Sequence, residues 1–206
     1  MNADLIITKI LMLPGIIIGL SFHEFAHAWV SDKLGDPTPR RQGRVTINPM
    51  AHIDWVGFAA LLLVGFGWGK PVQIDPGYYK HRRRDEFLVS IAGVTMNLLL
   101  AVVFSIPARF IVKAVNGAAV SDIIYNIYLM VFYIVMINIV LMIFNLIPCP
   151  PLDGWGIITQ IFRLDRYSWW YKVYQYGTWI LLGLIVFNVT DRIITPLVSL
   201  ILGVLL

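Results

Sequence analysis

Three stretches of this chain, about Leu5–Val30, Glu86–Phe110 and Ile123–Leu146, are apolar along almost their whole length. At about 1.5 Å per residue, each is long enough as a helix to approach or cross a hydrocarbon core of roughly 30 Å. Inside hydrocarbon every backbone N–H and C=O must find its partner within the protein, which leaves helices and closed barrels as spanning structures. Long apolar runs without two-residue alternation select the helix. Composition agrees: 58% of the 206 residues are hydrophobic and 14% are charged, against roughly 45–50% and about 25% in soluble domains. A water-soluble fold of this length could not bury so much apolar surface. The chain therefore reads as an all-α polytopic membrane protein, a single membrane-embedded domain over 1–206 with no soluble domain. The first apolar block reads as retained, since only Lys9 charges its start and it runs on as a long helix.

The segments between the blocks carry the remaining signals. Residues 31–54 are polar and basic, and Gly35, Asp36, Pro37, Pro39 and Gly43 break any helix. Arg44–Ile47 and Lys70–Ile74 alternate like short strands, which predicts a small β-hairpin or sheet near the cytoplasmic face. Trp55–Gly69 is apolar but short, reaching only about 22 Å as a helix. Basic loops flank it on both sides, so it is expected to dip into the membrane and return; a tilted crossing is the alternative. Further apolar pieces cover about Tyr174–Val189 and Ile194–Leu206, and Trp169-Trp170-Tyr171 suits a membrane interface.

Loops 31–54, 70–86 and 148–172 hold 4, 5 and 3 of the 16 Lys and Arg residues. This asymmetry predicts that all three face the cytoplasm of a plasma-membrane protein. The net charge of +4 is thereby explained by topology and by contact of Arg82-Arg83-Arg84 with anionic lipid, not by nucleic-acid binding. The single cysteine, Cys149, excludes an intramolecular disulfide and reads as a small packing residue.

The chemistry begins with His23-Glu24-Phe25-Ala26-His27, near the end of the first apolar block. Residues i and i+4 share a helix face, so both imidazoles can reach one zinc ion. Glu24, one position on, can take a proton from a water and hand it to a leaving amine. Two histidines and a glutamate in a membrane-length apolar block are costly unless paired or bound.

A catalytic zinc needs a third protein ligand. The position six residues after His27 is Lys33, which rules out the extended soluble pattern with a third histidine there. Glu86 opens a helix beside three arginines, and His52 and His81 lie in basic loops. Asp153, in Pro148-Cys-Pro-Pro-Leu-Asp153-Gly154, is the better candidate, although Asp before Gly is also a common turn pair. His52 and Asp54 read as structural. Asn97 and Asn145 can bridge helices or serve the site.

HEFAH in the first helix, with Asn145-Leu-Ile-Pro-Cys-Pro-Pro-Leu-Asp153-Gly154 after a later one, resembles the site-2 protease family of intramembrane zinc metalloproteases. Gly35-Asp-Pro-Thr-Pro, Asn48-Pro49 through His52-Ile-Asp54, and Gly69-Lys-Pro-Val resemble its small bacterial members. The resemblance implies one Zn2+ per chain held by His23, His27 and Asp153, with Glu24 as general base. It implies that Asn145 lies near the metal as a catalytic or substrate-binding residue, and that Asn97 matches a helical Asn of the family, read here as substrate-binding. Val94 departs from a proline often found after the glycine, and Cys149 from an aliphatic residue. The family activity is hydrolysis of peptide bonds within transmembrane segments of other proteins. The 110–123 connection is too short for a PDZ domain, and the C-terminus leaves no room for a CBS pair. The partners expected are transmembrane protein substrates and the lipid bilayer; the sequence specifies no oligomeric state.

Water must reach a site whose histidines sit three and seven residues before Val30, which puts the zinc toward the cytoplasmic side. A substrate helix must unwind there, exposing backbone in lipid. The two candidate strands are expected to accept it by edge pairing. The competing function is a non-proteolytic zinc-binding membrane protein, a transporter or scaffold.

Overall fold

The computed structural model describes residues 3–64, 67–115 and 121–206. Eight α-helices are described: α1 (Ala3–Lys33), α2 (Thr38–Arg41), α3 (Trp55–Val64), α4 (Arg82–Val115), α5 (Asp122–Leu146), α6 (Asp153–Phe162), α7 (Ser168–Val186) and α8 (Val189–Leu205). Helices α1, α4 and α5 are long and apolar enough to cross a membrane. Helices α7 and α8 together meet the same test but bend by 70° at their junction. There Asn188 takes a left-handed conformation, with φ of 54°, which Asn tolerates better than most residues.

The core is the α1–α4–α5 bundle, with α6 and α8 packed on it. Gly15 and Gly19, one turn apart on α1, let it approach α5: a Cβ on Gly15 would lie 3.0 Å from Tyr133 O, and one on Gly19 would lie 2.7 Å from Leu141 Cδ1. Small residues at this spacing are how membrane helices gain contact when lipid removes the hydrophobic drive. Ala101, Val135 and Ile139 fill the α4–α5 seam and are fully buried. Leu98, Leu99, Val102, Val103 and Ile106 of α4 are instead exposed, as a lipid-facing surface requires.

Successive long helices run in opposite directions. The end of α1, the start of α4, the end of α5 and the start of α6 consequently gather at one side of the bundle. Asp85 caps α4 by accepting the His81 N–H at 2.9 Å, and Glu86 pairs with Arg82 at 2.6 Å. The 110–123 connection includes 116–120, which lie outside the described residues.

The β-hairpin or sheet expected from Arg44–Ile47 and Lys70–Ile74 does not form; no strand occurs among the described residues. Side chains take the place of ladder partners. Arg44 reaches the carbonyls of Lys70 and of Pro71, the latter at 3.3 Å. His52 Nε2 donates to Thr46 O at 2.7 Å, and Glu24 accepts from Val72 N–H at 2.9 Å. With those backbone groups satisfied by side chains, the two segments need no pairing with each other.

Trp55–Gly69, of which 65–66 lie outside the described residues, returns to its starting point. Asp54 Oδ1 caps α3 by accepting from Val56 and Gly57 N–H, each at 2.9 Å. The returning chain passes Gly57 closely enough that a Cβ there would sit 2.2 Å from Trp68 O. Lys70 N–H then bonds His52 O at 2.8 Å and closes the excursion. Lys9 of α1 donates to Leu62 O, one of the carbonyls left without a helical partner at the end of α3. The helical part of this excursion, ten residues of α3, is about 15 Å long by helix rise.

Candidate metal and catalytic site

His23 and His27 project from α1 on one face, and Asp153 opens α6. The structure brings the three together although 126 residues separate His27 from Asp153 in sequence. His23 Nε2 and His27 Nε2 lie 3.1 Å apart. Asp153 Oδ2 is 3.3 Å from the first and 3.2 Å from the second. Zinc bonds of about 2.0–2.1 Å in a tetrahedron put neighbouring donors about 3.3 Å apart, so this triangle has the edge lengths of one face of a zinc site.

The donor chemistry points the same way. His27 Nδ1 donates to Val89 O at 2.8 Å, so its neutral ring presents a lone pair at Nε2. His23 Nδ1 faces Asn97 Oδ1 at 2.7 Å. Asp153 Oδ2 is buried without a hydrogen-bond donor. With both rings neutral, three lone-pair atoms converge in a buried space and repel one another unless a cation lies among them. Gly93 of α4 forms the wall: a Cβ there would sit 2.4 Å from His27 Nε2 and 2.6 Å from His23 Nε2. The site is thus open at this wall because residue 93 has no side chain.

Glu24 follows His23 on α1 and is tied to the 70–75 segment. Its Oε2 accepts from Val72 N–H and lies 3.8 Å from Arg44 Nη2. Arg44 is buried and also meets His52 Nδ1 at 3.3 Å. His52 donates through Nε2 to a carbonyl, so it is a neutral strut; burial, and secondarily Arg44, lowers its pKa. Asp36 is a second strut: its carboxylate accepts from Ser31, Thr38 N–H and Asp75 N–H at 2.8–2.9 Å. Burial alone would raise its pKa, but those hydrogen bonds outweigh it and hold the carboxyl below its ordinary value.

The remaining sequence candidates fall differently. Asn97 is fully buried, its two amide hydrogens donated to Gly19 O at 3.1 Å and Asn138 Oδ1 at 2.9 Å, and its oxygen set against His23. Both amide hydrogens are thus engaged within the bundle, and Asn97 sits behind His23. Asn145 is half-buried and donates to Leu141 O at 3.0 Å; among the described residues no hydrogen bond joins it to the triangle. Glu86 is bound to Arg82 and Gln160, and His52 and His81 lie outside the cluster. Cys149 is buried, and burial raises its thiol pKa, as for a packing residue. Sequence reasoning missed Gly93 as the wall, Arg44 and Val72 as partners of Glu24, and Asn138. Arg44 was masked by its strand-like context, and Asn138 had only its two-turn spacing from Asn145 as a signal.

The profile of Peptidase family M50 matches residues 109–184. "Putative zinc metalloprotease YwhC" of Bacillus subtilis is 34% identical over 189 residues, covering 89% of this chain and 84% of that protein. "Putative zinc metalloprotease Rip2" of Mycolicibacterium smegmatis is 29% identical over 155 residues, and its Mycobacterium tuberculosis counterpart 25% over 160. The chain covers 72% and 75% of itself in those two matches, and 56% and 58% of the Rip2 proteins. No solved structure matches. The chain belongs to peptidase family M50, as its resemblance to the site-2 proteases implied. It is a multi-pass membrane protein whose apolar helices carry a His–His–Asp donor set.

Proposed function

We propose that this chain is an intramembrane zinc endopeptidase that hydrolyses peptide bonds within transmembrane segments of other membrane proteins. The observation that carries this reading is the donor triangle of His23, His27 and Asp153, closed to 3.1–3.3 Å inside a bundle of apolar helices. In this reading those three residues hold one Zn2+. Bound zinc supplies Lewis acidity, which stabilises charge on the scissile carbonyl and makes a water acidic near neutral pH. Glu24 takes the proton of the attacking water and delivers it to the departing amine nitrogen. Val72 N–H and Arg44 keep its carboxylate from swinging away. Asn145, on the side of the bundle where α5 ends, has a second amide hydrogen with which to meet the developing oxyanion.

The substrate segment must unwind to expose its amide, at several kcal/mol for each unpaired group in lipid. His27 and His23 lie six and ten residues before the end of α1, about 9–15 Å from it, so water needs to enter only from that end. The basic residues of the loops on that side support a site at the cytoplasmic face of the plasma membrane. A transporter would require polar residues through the membrane depth, whereas the donor set here gathers at one end. In the purified full chain, Glu24→Gln is expected to keep one zinc and lose cleavage of a transmembrane substrate by roughly 10²–10⁴-fold. Wild-type cleavage by that variant would refute the assignment of the base; zinc binding without any cleavage by wild type would favour a scaffold.

A further inference from the structure

We infer that Asn138, acting through Asn97, is a positioning residue that fixes the tautomer and orientation of His23. The inference rests on the reading of His23 as a zinc ligand and deepens it. Three buried side chains on three helices form one line: His23 on α1, Asn97 on α4 and Asn138 on α5. Each amide could in principle sit either way round, since its oxygen and nitrogen have the same shape. Backbone carbonyls remove that freedom.

Asn138 faces Ile134 O at 2.8 Å. A carbonyl only accepts, so the facing atom is the amide nitrogen and the other is Oδ1. That Oδ1 accepts from Asn97 Nδ2 at 2.9 Å, and the same nitrogen donates to Gly19 O at 3.1 Å. Asn97 is therefore held with Oδ1 toward His23, 2.7 Å from Nδ1. His23 Nδ1 must carry the hydrogen, and Nε2 is left with its lone pair directed at His27 and Asp153. Gly19, one turn before His23, makes room for this: a Cβ there would lie 3.4 Å from Asn138 Oδ1.

The two histidines differ in how they are set. His27 Nδ1 donates straight to Val89 O, a backbone group. His23 Nδ1 donates to a side chain, Asn97, whose own orientation rests on Gly19 O and on Asn138 of α5. Second-tier partners of metal-bound histidines typically contribute 10–100-fold in metal affinity. Asn138 touches neither metal ligand nor substrate, yet together with Gly19 O it holds Asn97 facing one way.

The test uses the full chain in detergent, stripped of metal and titrated with Zn2+ against a chelator, beside 15N NMR of the histidine rings in the metal-free protein. Asn138→Leu keeps the volume and removes the acceptor; its zinc affinity is expected to fall about 10-fold or more. Asn138→Asp is the rescue. Buried carboxyls become neutral, and a neutral carboxyl donates to Ile134 O while accepting from Asn97, so affinity is expected within about two-fold of wild type. A role in packing alone predicts that Leu is tolerated at least as well as Asp. Val135→Ala, a buried α5 change outside the line, should lower the melting temperature and leave zinc affinity in place. The NMR arm should show His23 protonated at Nδ1 in wild type and in Asn138→Asp, and a mixture of tautomers in Asn138→Leu. Equal zinc affinity in the Leu and Asp variants, or an unchanged tautomer in Asn138→Leu, overturns the inference. If wild type binds no zinc, the proposed function fails, and the NMR arm still decides the inference by itself.

Discussion

Replacing Gly93 by alanine adds one methyl group where α4 lies against the two histidines of α1. The added Cβ would stand 2.4 Å from His27 Nε2, 2.5 Å from His23 Cε1 and 2.6 Å from His23 Nε2. Non-bonded heavy atoms settle at about 3.5 Å or more, so something must retreat by about 1 Å. Helix α4 cannot supply that movement cheaply, because it packs against α1, α5 and α6 together. The imidazoles must rotate, and their Nε2 atoms are the donors themselves. Metal sites tolerate about 0.2 Å of error in donor distance, and about 1 Å of misplacement can cost 10²-fold in rate. The effect on the fold is much smaller: alanine gains about 1 kcal/mol of helix propensity over glycine, against roughly 1–3 kcal/mol for overpacking. Gly93→Ala is therefore expected to remain folded, with zinc affinity and cleavage each down by about 10²-fold or more. Metal analysis after purification, a thermal melt and a cleavage assay on one preparation separate these effects. Full zinc stoichiometry with wild-type cleavage would refute the claim that Gly93 is the wall of the metal site.

Other changes test the supports around the site. Val72→Pro deletes the N–H that Glu24 accepts; zinc content should hold while kcat drops about 10-fold or more, the scale of a lost charged hydrogen bond of ~1.5–3 kcal/mol, and an unchanged kcat would show that this bond does not position the base. Asp36→Asn cannot accept all three hydrogen bonds made to the carboxylate and should cost about 1–3 kcal/mol in a melt. The native pKa of Asp36 is depressed from 3.8, so its contribution is complete above that value and is lost as pH falls below it. Metal-free wild type should thus lose stability below pH 3.8 more steeply than Asp36→Asn, and parallel curves would contradict this. Gly15→Leu would drive a side chain into Ile137 Cδ1 and Tyr133 O, which a Cβ alone would meet at 2.9 and 3.0 Å; the melt should show a loss of roughly 1–3 kcal/mol, and unaltered stability would mean that α1 and α5 are not held by this approach.

By itself the sequence determined what local periodicity and solvent dictate. Apolar length selected helices at about Leu5–Val30, Glu86–Phe110 and Ile123–Leu146, which fall within α1, α4 and α5, because lipid admits no unpaired backbone. Four-residue spacing put His23 and His27 on one face, because that spacing is a property of any helix. Too few residues to cross, with basic loops on both sides, favoured a return over a tilted crossing for Trp55–Gly69, and the chain does come back to bond Lys70 N–H to His52 O. Alternation at Arg44–Ile47 and Lys70–Ile74 misled, since it records which residues point inward and not what the backbone pairs with. There Arg44, His52 and Glu24 took the hydrogen bonds that a strand partner would have made. Only the tertiary structure decided the rest. Asp153 reaches the histidines because α1 and α5 end on the same side of the bundle, a property of helix packing that no local window contains. That Asn97 lies behind His23, with both amide hydrogens taken by Gly19 O and Asn138, is visible only once three helices are packed. Gly93 matters through the side chain it lacks, and only two neighbouring helices reveal the space that absence leaves.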